Sequence, residues 1–167
     1  MTCFETKRLN GRIFQEKDQD SVIEILRDPI VKQTYMLPDF TTEEDAVRLF
    51  RRLMELSQNK GHYVVAICLE DELIGWINDT EQREGSIELG YVIHPRYHGQ
   101  GYMTEALQAA IADLLERGYN EVKAGAFEEN VASIRVMEKC GMVRQEHRDE
   151  LQYRGVVHRC VYYAIGK

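Results

Sequence analysis

Between Arg96 and Gly101 the chain reads Arg-Tyr-His-Gly-Gln-Gly, wedged between a strand-like run, Ile87-Glu-Leu-Gly-Tyr-Val-Ile93, and a long stretch of helical periodicity. A strand that passes through two glycines straight into a helix leaves few local conformations open. Gly99 and Gly101 have no side chain to obstruct a bound group, and the first turn of the following helix carries N–H groups with no acceptor inside the helix. Such N–H groups, aligned with the helix dipole, favour an anion, so the junction predicts a loop that holds a pyrophosphate. From these six residues alone an ordinary glycine turn is a second, less favoured reading. Two nucleotide signatures are incomplete here: the third glycine of G-x-G-x-x-G falls on Thr104, and no Gly-Lys-Ser/Thr follows.

Periodicity organises the rest without a linker or repeat. A short helix begins at Asp20 or Ser21 with Val22, Ile25 and Leu26 on one face, and stops before Pro29 because the residue preceding proline avoids helical geometry. Val31 to Phe40 reads as a loop. Thr41 and Glu44 have capping-box spacing ahead of Val47, Phe50, Leu53 and Met54, with a stop at Asn59-Lys60-Gly61. His62 to Leu69 and Leu73 to Asp79 form a hairpin, and Ser86 to Ile93 is the strand that feeds the glycine loop. Met103, Ala106, Leu107, Ala110, Ile111, Leu114 and Leu115 make the core-facing stripe of a helix that ends at Gly118. Glu121 to Phe127 is a strand, Asn130 caps a helix that Gly141 terminates, and Val143 to Leu151 with Val156 to Ile165 form a closing hairpin. The sum is an α+β, or mixed α/β, sheet with the glycine loop near its middle.

With 167 residues, 44% of them hydrophobic, the chain suits one domain, placed at Glu5 to Lys167. No stretch approaches the roughly 18 apolar residues of a membrane span, and no basic-then-apolar leader opens the chain, so a cytoplasmic protein is expected. Cys3, Cys68, Cys140 and Cys160 are scattered and form no C-x-x-C pair, and Pro95 breaks the i,i+4 relation of His94 and His98, so no metal is expected. A formal charge of −7 argues against nucleic-acid binding and leans toward a cationic acceptor, although acidity also serves solubility.

The pattern R-x-x-G-x-G between strand and helix, followed by Asn130-Val-Ala-Ser-Ile-Arg-Val-Met-Glu-Lys-Cys-Gly-Met142, resembles the GCN5-related N-acetyltransferase (GNAT) superfamily. Glu5-Thr-Lys-Arg-Leu9, Asn130-x-x-Ser133 and Glu138-Lys139-x-Gly141 resemble its RimJ/RimL-like branch, which acetylates ribosomal-protein N-termini. The resemblance spans about Glu5 to Ile165. It implies a mostly antiparallel twisted sheet flanked by helices, whose two middle strands, here Glu88 to Ile93 and Glu121 to Phe127, splay to admit acetyl-coenzyme A. The coenzyme-binding set it implies is Tyr91, Val92, Ile93, Arg96, His98, Gly99, Gln100, Gly101, Tyr102, Met103, Asn130 and Ser133, with no metal. The acceptor is an amine: a protein N-terminus, a polyamine or another small amine. Relatives are monomers or dimers.

Chemistry sets the remaining requirements. A lysine-type amine, pKa about 10.4, is neutral in about one molecule in 2,500 at pH 7, roughly 4.6 kcal/mol against attack on a thioester, so a base is needed. Glu88, two residues before Gly90, is the first candidate, with Glu81 and Asp79 as rivals. The charge developing on the thioester oxygen needs a backbone donor, which the resemblance places at Tyr91 or Val92. Where the superfamily often has a tyrosine that protonates the thiolate, this chain has Met137, which cannot donate; the branch points to Ser133 instead. Tyr35, Met36, Phe40 and Glu43-Glu44-Asp45 shape an acceptor mouth or serve as caps and core. Two other readings keep the loop: a non-catalytic acyl-coenzyme A sensor, and a nucleotide-binding regulator.

Overall fold

The computed structural model describes residues 2–36 and 42–167. Among these residues eight strands form one sheet: β1 (Thr2–Glu5), β2 (Leu9–Arg12), β3 (Val64–Leu69), β4 (Glu72–Arg83), β5 (Ser86–Ile93), β6 (Glu121–Phe127), β7 (Val143–Tyr153) and β8 (Val156–Gly166). Their spatial order is β1-β2-β3-β4-β5-β6-β8-β7. Every neighbouring pair is antiparallel except β5 and β6. That one parallel step follows from the connection, because the chain leaves β5, runs back along helix α4 (Tyr102–Glu116) and enters β6 in the same direction.

Both faces of the sheet are covered, which explains why β3 is apolar at successive positions. Val65 and Ile67 pack with α4, whereas Val64, Ala66 and Cys68 pack on the opposite side against α1 (Gln19–Arg27), α2 (Pro29–Thr34) and α3 (Glu43–Gln58). The helices present the stripes their periodicity predicts: Val22, Ile25 and Leu26 on α1, Phe50 and Leu53 on α3, and Met103 through Leu114 on α4. Trp76 of β4 is fully buried and meets Phe14 and Tyr35 edge-on, with ring centroids 6.3 and 6.0 Å apart. Truncating such a residue to alanine costs about 3–5 kcal/mol.

Three expectations need correction. Val31 to Thr34 is helical, not a loop: Pro29 ends α1 but also stands at the first position of α2, where its missing N–H is harmless, and the Asp28 carboxylate caps Ile30 and Val31. The cap of α3 is Thr42, whose hydroxyl accepts from the Asp45 N–H at 3.2 Å; Thr41 and Phe40 lie outside the described residues. β1 and β2 were not expected, since four-residue strands show too little alternation to stand out. A bidentate pair between buried Arg12 and Asp18, at 2.8 and 2.9 Å, ties β2 to the start of α1.

Candidate active site

β5 and β6 are in register only from Ser86 opposite Glu121 to Leu89 opposite Ala124. Beyond that point they part, while β5 stays paired with β4 to Ile93 and β6 with β8 to Phe127. A cavity of about 540 Å³ opens where the ladder is missing.

Strand parity decides which backbone groups face that gap. The His94 N–H bonds Ile74 of β4, and the Gly85 carbonyl accepts from Glu121 of β6. Backbone groups alternate sides along a strand, so Gly90 and Val92 turn toward β4, and Tyr91 and Ile93 toward the gap. Of the two expected backbone donors, Tyr91 therefore aims into the cleft and Val92 does not. The Ile93 carbonyl, on the same side, is 3.1 Å from Nε2 of His98.

Past a 3-10 turn at Pro95–Tyr97 the loop carries two left-handed residues, Gly99 at φ 72° and Gly101 at φ 79°. A β-carbon at Gly99 would point into open space. The N–H of His98 is bonded to Pro95 and that of Glu105 to Gly101, but the six between them, Gly99 to Thr104, find no acceptor in the described protein. Six successive free donors at a helix start form a concentrated anion site. His98, Gly99, Gly101, Tyr102 and Met103 line the cavity. Gln100 does not, and its side-chain amide donates to the Arg96 carbonyl. Arg96 is absent from the lining as well: its exposed guanidinium pairs with Glu24 at 3.3 Å.

Across the gap stands α5 (Val131–Lys139), capped by Asn130, which accepts from the Ser133 N–H. The hydroxyls of Tyr91 and Ser133 are 2.7 Å apart, and both residues line the cavity. Burial pushes the Tyr91 phenol well above its usual range, so it stays protonated and serves as a hydrogen-bond donor. Met137, fully buried, belongs to the core. Arg135 and Lys139 on α5 line the cavity, are exposed and have no ion-pair partner among the described residues. Sequence reasoning gave neither a binding role, although both stand in the motif that carries the resemblance; their i,i+4 spacing on a capped helix was the available signal.

At the other end, Glu88 lines the cavity from β5. Desolvation raises its pKa, helped by repulsion from Glu81 and Asp149 and opposed by the Thr80 hydroxyl and Lys123. Glu81, directly opposite on β4, points to Arg83 at 2.8 Å and does not line the cavity. Asp79 is committed elsewhere: its oxygens take the Tyr63 N–H, the Gln82 amide and His62. Of the three carboxylates weighed as base, only Glu88 reaches the cleft. Tyr35 and Met36 line this end with Asn78, Leu151 and Tyr162. The Tyr35 hydroxyl donates to Asn78 and accepts from the Trp76 indole, and burial pushes its pKa up to about 12. Glu43, Glu44 and Asp45 are not at the mouth; they occupy the first turn of α3, where helix polarity favours acids. Among the described residues no group of three or more His, Cys, Asp or Glu is placed to hold a metal, and no helix is long and apolar enough to cross a membrane.

A sheet parted beside a loop of unpaired amides defines a class, and comparison with known proteins agrees. Residues 8–143 match the acetyltransferase (GNAT) domain family. An uncharacterized N-acetyltransferase of Bacillus subtilis, YnaD, is 36% identical over 146 residues, covering 84% of this chain and 82% of its own. A crystal structure of a GNAT-family acetyltransferase from Bacillus anthracis superposes with a TM-score of 0.82 at 30% identity, over 99% of this chain and 98% of the other. The RimL ribosomal L7/L12 alpha-N-protein acetyltransferase, solved in complex with coenzyme A, shares the fold at a TM-score of 0.85, 18% identity and coverage of 99% and 98%. The chain belongs to the GNAT acetyltransferase family. It is an acetyltransferase.

Proposed function

We propose that this single domain, Glu5 to Lys167, transfers the acetyl group of acetyl-coenzyme A to a primary amine by direct attack, both substrates being held in the cleft at once. The observation that carries the reading is the run of six unpaired N–H groups from Gly99 to Thr104 beside the parted β5 and β6. In this reading the amides take the diphosphate, Arg135 and Lys139 supply cations to the coenzyme's phosphates, and Asn130, Ser133 and the cleft edge of β5 flank the thioester arm.

Each catalytic requirement then has a residue. Glu88, raised by burial and neighbouring carboxylates, accepts the ammonium proton directly or through water, and its charge attracts a cationic acceptor. The Tyr91 N–H stabilises the charge that develops on the carbonyl oxygen. Ser133 donates toward the sulfur as the thiolate leaves, with Tyr91 donating in turn to the Ser133 oxygen. A thiol of pKa about 8.5 leaves as a tolerable anion near neutrality, so the Ser133 contribution is modest.

The acceptor end is apolar with one carboxylate and several hydroxyls, which suits an amine on a neutral or apolar stem, as at a protein N-terminus or a small amine. Kinship with ribosomal-protein acetyltransferases supports the first. Release of free thiol from acetyl-coenzyme A across a panel of N-terminal peptides, polyamines and small amines tests activity and acceptor together. Turnover with at least one amine is expected; tight coenzyme binding without turnover on any of them favours a sensor.

A further inference from the structure

Thr6 and Arg8 sit on the connection between β1 and β2, far from α4 in sequence, yet both converge on Glu105 in the first turn of that helix. The Thr6 hydroxyl donates to Glu105 Oε1 at 2.5 Å, the Arg8 backbone N–H to the same oxygen at 2.9 Å, and Arg8 Nε to Oε2 at 2.7 Å. The guanidinium lies over the Tyr102 ring at 4.3 Å, and its Nη1 donates to the carbonyl of Gln100 at 2.9 Å. Desolvation opposes ionisation of Glu105, but the hydrogen bonds from Thr6 and Arg8 prevail and hold its carboxyl below the ordinary value. The anchor is thus ionised near neutral pH.

The contact to Gln100 matters because of its neighbours. Gly99 and Gly101 flank that residue, so its two peptide planes are the least restrained in the loop. In a trans peptide the C=O and the following N–H point in opposite directions. Clamping the Gln100 carbonyl outward therefore fixes the Gly101 N–H inward. We propose that Arg8 is a positioning residue of the phosphate loop, holding the Gln100–Gly101 peptide in the one orientation that presents its N–H to the diphosphate. This rests on the coenzyme reading above and goes beyond it, because Arg8 does not line the cavity. Glycines allow the left-handed turn; Arg8 removes the freedom they bring. Only arginine meets the geometry, since Nε must face the carboxylate while Nη1 reaches the carbonyl, and lysine has a single head.

The test compares acetyl-coenzyme A with S-acetylpantetheine, which carries the same thioester without the diphosphate. Arg8→Met is expected to lower kcat/KM for acetyl-coenzyme A about tenfold through preorganisation lost from the loop. With S-acetylpantetheine it should stay within about twofold of the unmutated enzyme, and Arg8→Lys should fall between. A merely structural ion pair predicts an equal loss with both carriers, tracking the melting temperature; that result, or no loss with either, overturns the proposal. Arg8→Lys retains the charge facing Glu105 and carries the comparison if Arg8→Met does not fold. An unmutated enzyme indifferent to the diphosphate would instead sink the phosphate-loop reading, and the role of Arg8 with it.

Discussion

The two ends of the cleft are built on opposite plans. At the proposed phosphate end the unpaired groups are backbone amides of one continuous segment, Gly99 to Thr104, with Arg8 and Glu105 bonded behind them. At the acceptor end they are side chains gathered from α2, β4, β5, β7 and β8, and a chain of hydroxyl and amide hydrogen bonds through Tyr35 holds part of it. Tyr153 adds a tie, its hydroxyl donating to the carbonyls of Lys32 and Tyr35 at 2.7 and 3.2 Å and so fixing the β7–β8 hairpin against α2. A backbone site tolerates change in side chains but not in backbone geometry. A side-chain site behaves the other way, which lets one family keep its acetyl carrier while varying the amine.

Substitutions at the two ends should therefore separate cleanly. The largest effect is expected from Glu88→Gln, a loss of about 10²- to 10³-fold in kcat near neutral pH with the acetyl-coenzyme A dissociation constant unchanged, read by steady-state kinetics beside calorimetry. Next comes Gly101→Val. A β-branched residue at φ 79° strains the loop, and its β-carbon would already stand in van der Waals contact with Arg8, so the acetyl-coenzyme A dissociation constant should rise about a hundredfold while the enzyme still melts cooperatively; unchanged affinity by calorimetry would break the contrast. At the acceptor end, Tyr35→Phe removes the donor to Asn78 and should raise the amine KM about three- to tenfold with coenzyme affinity untouched.

Smaller effects sharpen the picture. Ser133→Ala should reduce turnover about three- to tenfold, and adding Tyr91→Phe should do little more, because in the proposed mechanism Tyr91 acts on the sulfur through Ser133; additive losses in a double-mutant cycle would uncouple them. Glu88 also has a pH signature in stability. Its folded pKa is raised, so the folded state holds the proton more tightly than the unfolded chain. The stabilisation is complete below the unfolded value, near 4.3, and fades as pH rises through the folded one. Relative to the unmutated protein, Glu88→Gln should accordingly melt slightly higher at pH 8 and show no such gain at pH 4, in thermal scans.

The same division explains what was legible in the sequence. The backbone geometry of the glycine loop was, because Gly99 and Gly101 between a strand and a helix start encode it locally. Asn130 and Gly141 at the ends of α5 were readable for the same reason. Arg8 was not: its function depends on contacts to Gln100 and Glu105, 92 and 97 residues away, and no local period reports them. Arg96, adjacent to the loop in sequence, turned instead to Glu24 of α1, showing that proximity along the chain does not set side-chain direction. Choosing between Tyr91 and Val92 required strand parity, which only the pairing partners reveal. Pro29 misled because one residue both stops α1 and starts α2.

The central claim is that the free amides of the glycine loop receive the diphosphate. Amide nitrogen-15 spectra recorded while titrating coenzyme A and, separately, pantetheine test it directly. The account predicts large shifts at Gly99 to Thr104 with coenzyme A and little change there with pantetheine. Loop signals that stay still while coenzyme A shifts residues elsewhere would contradict it.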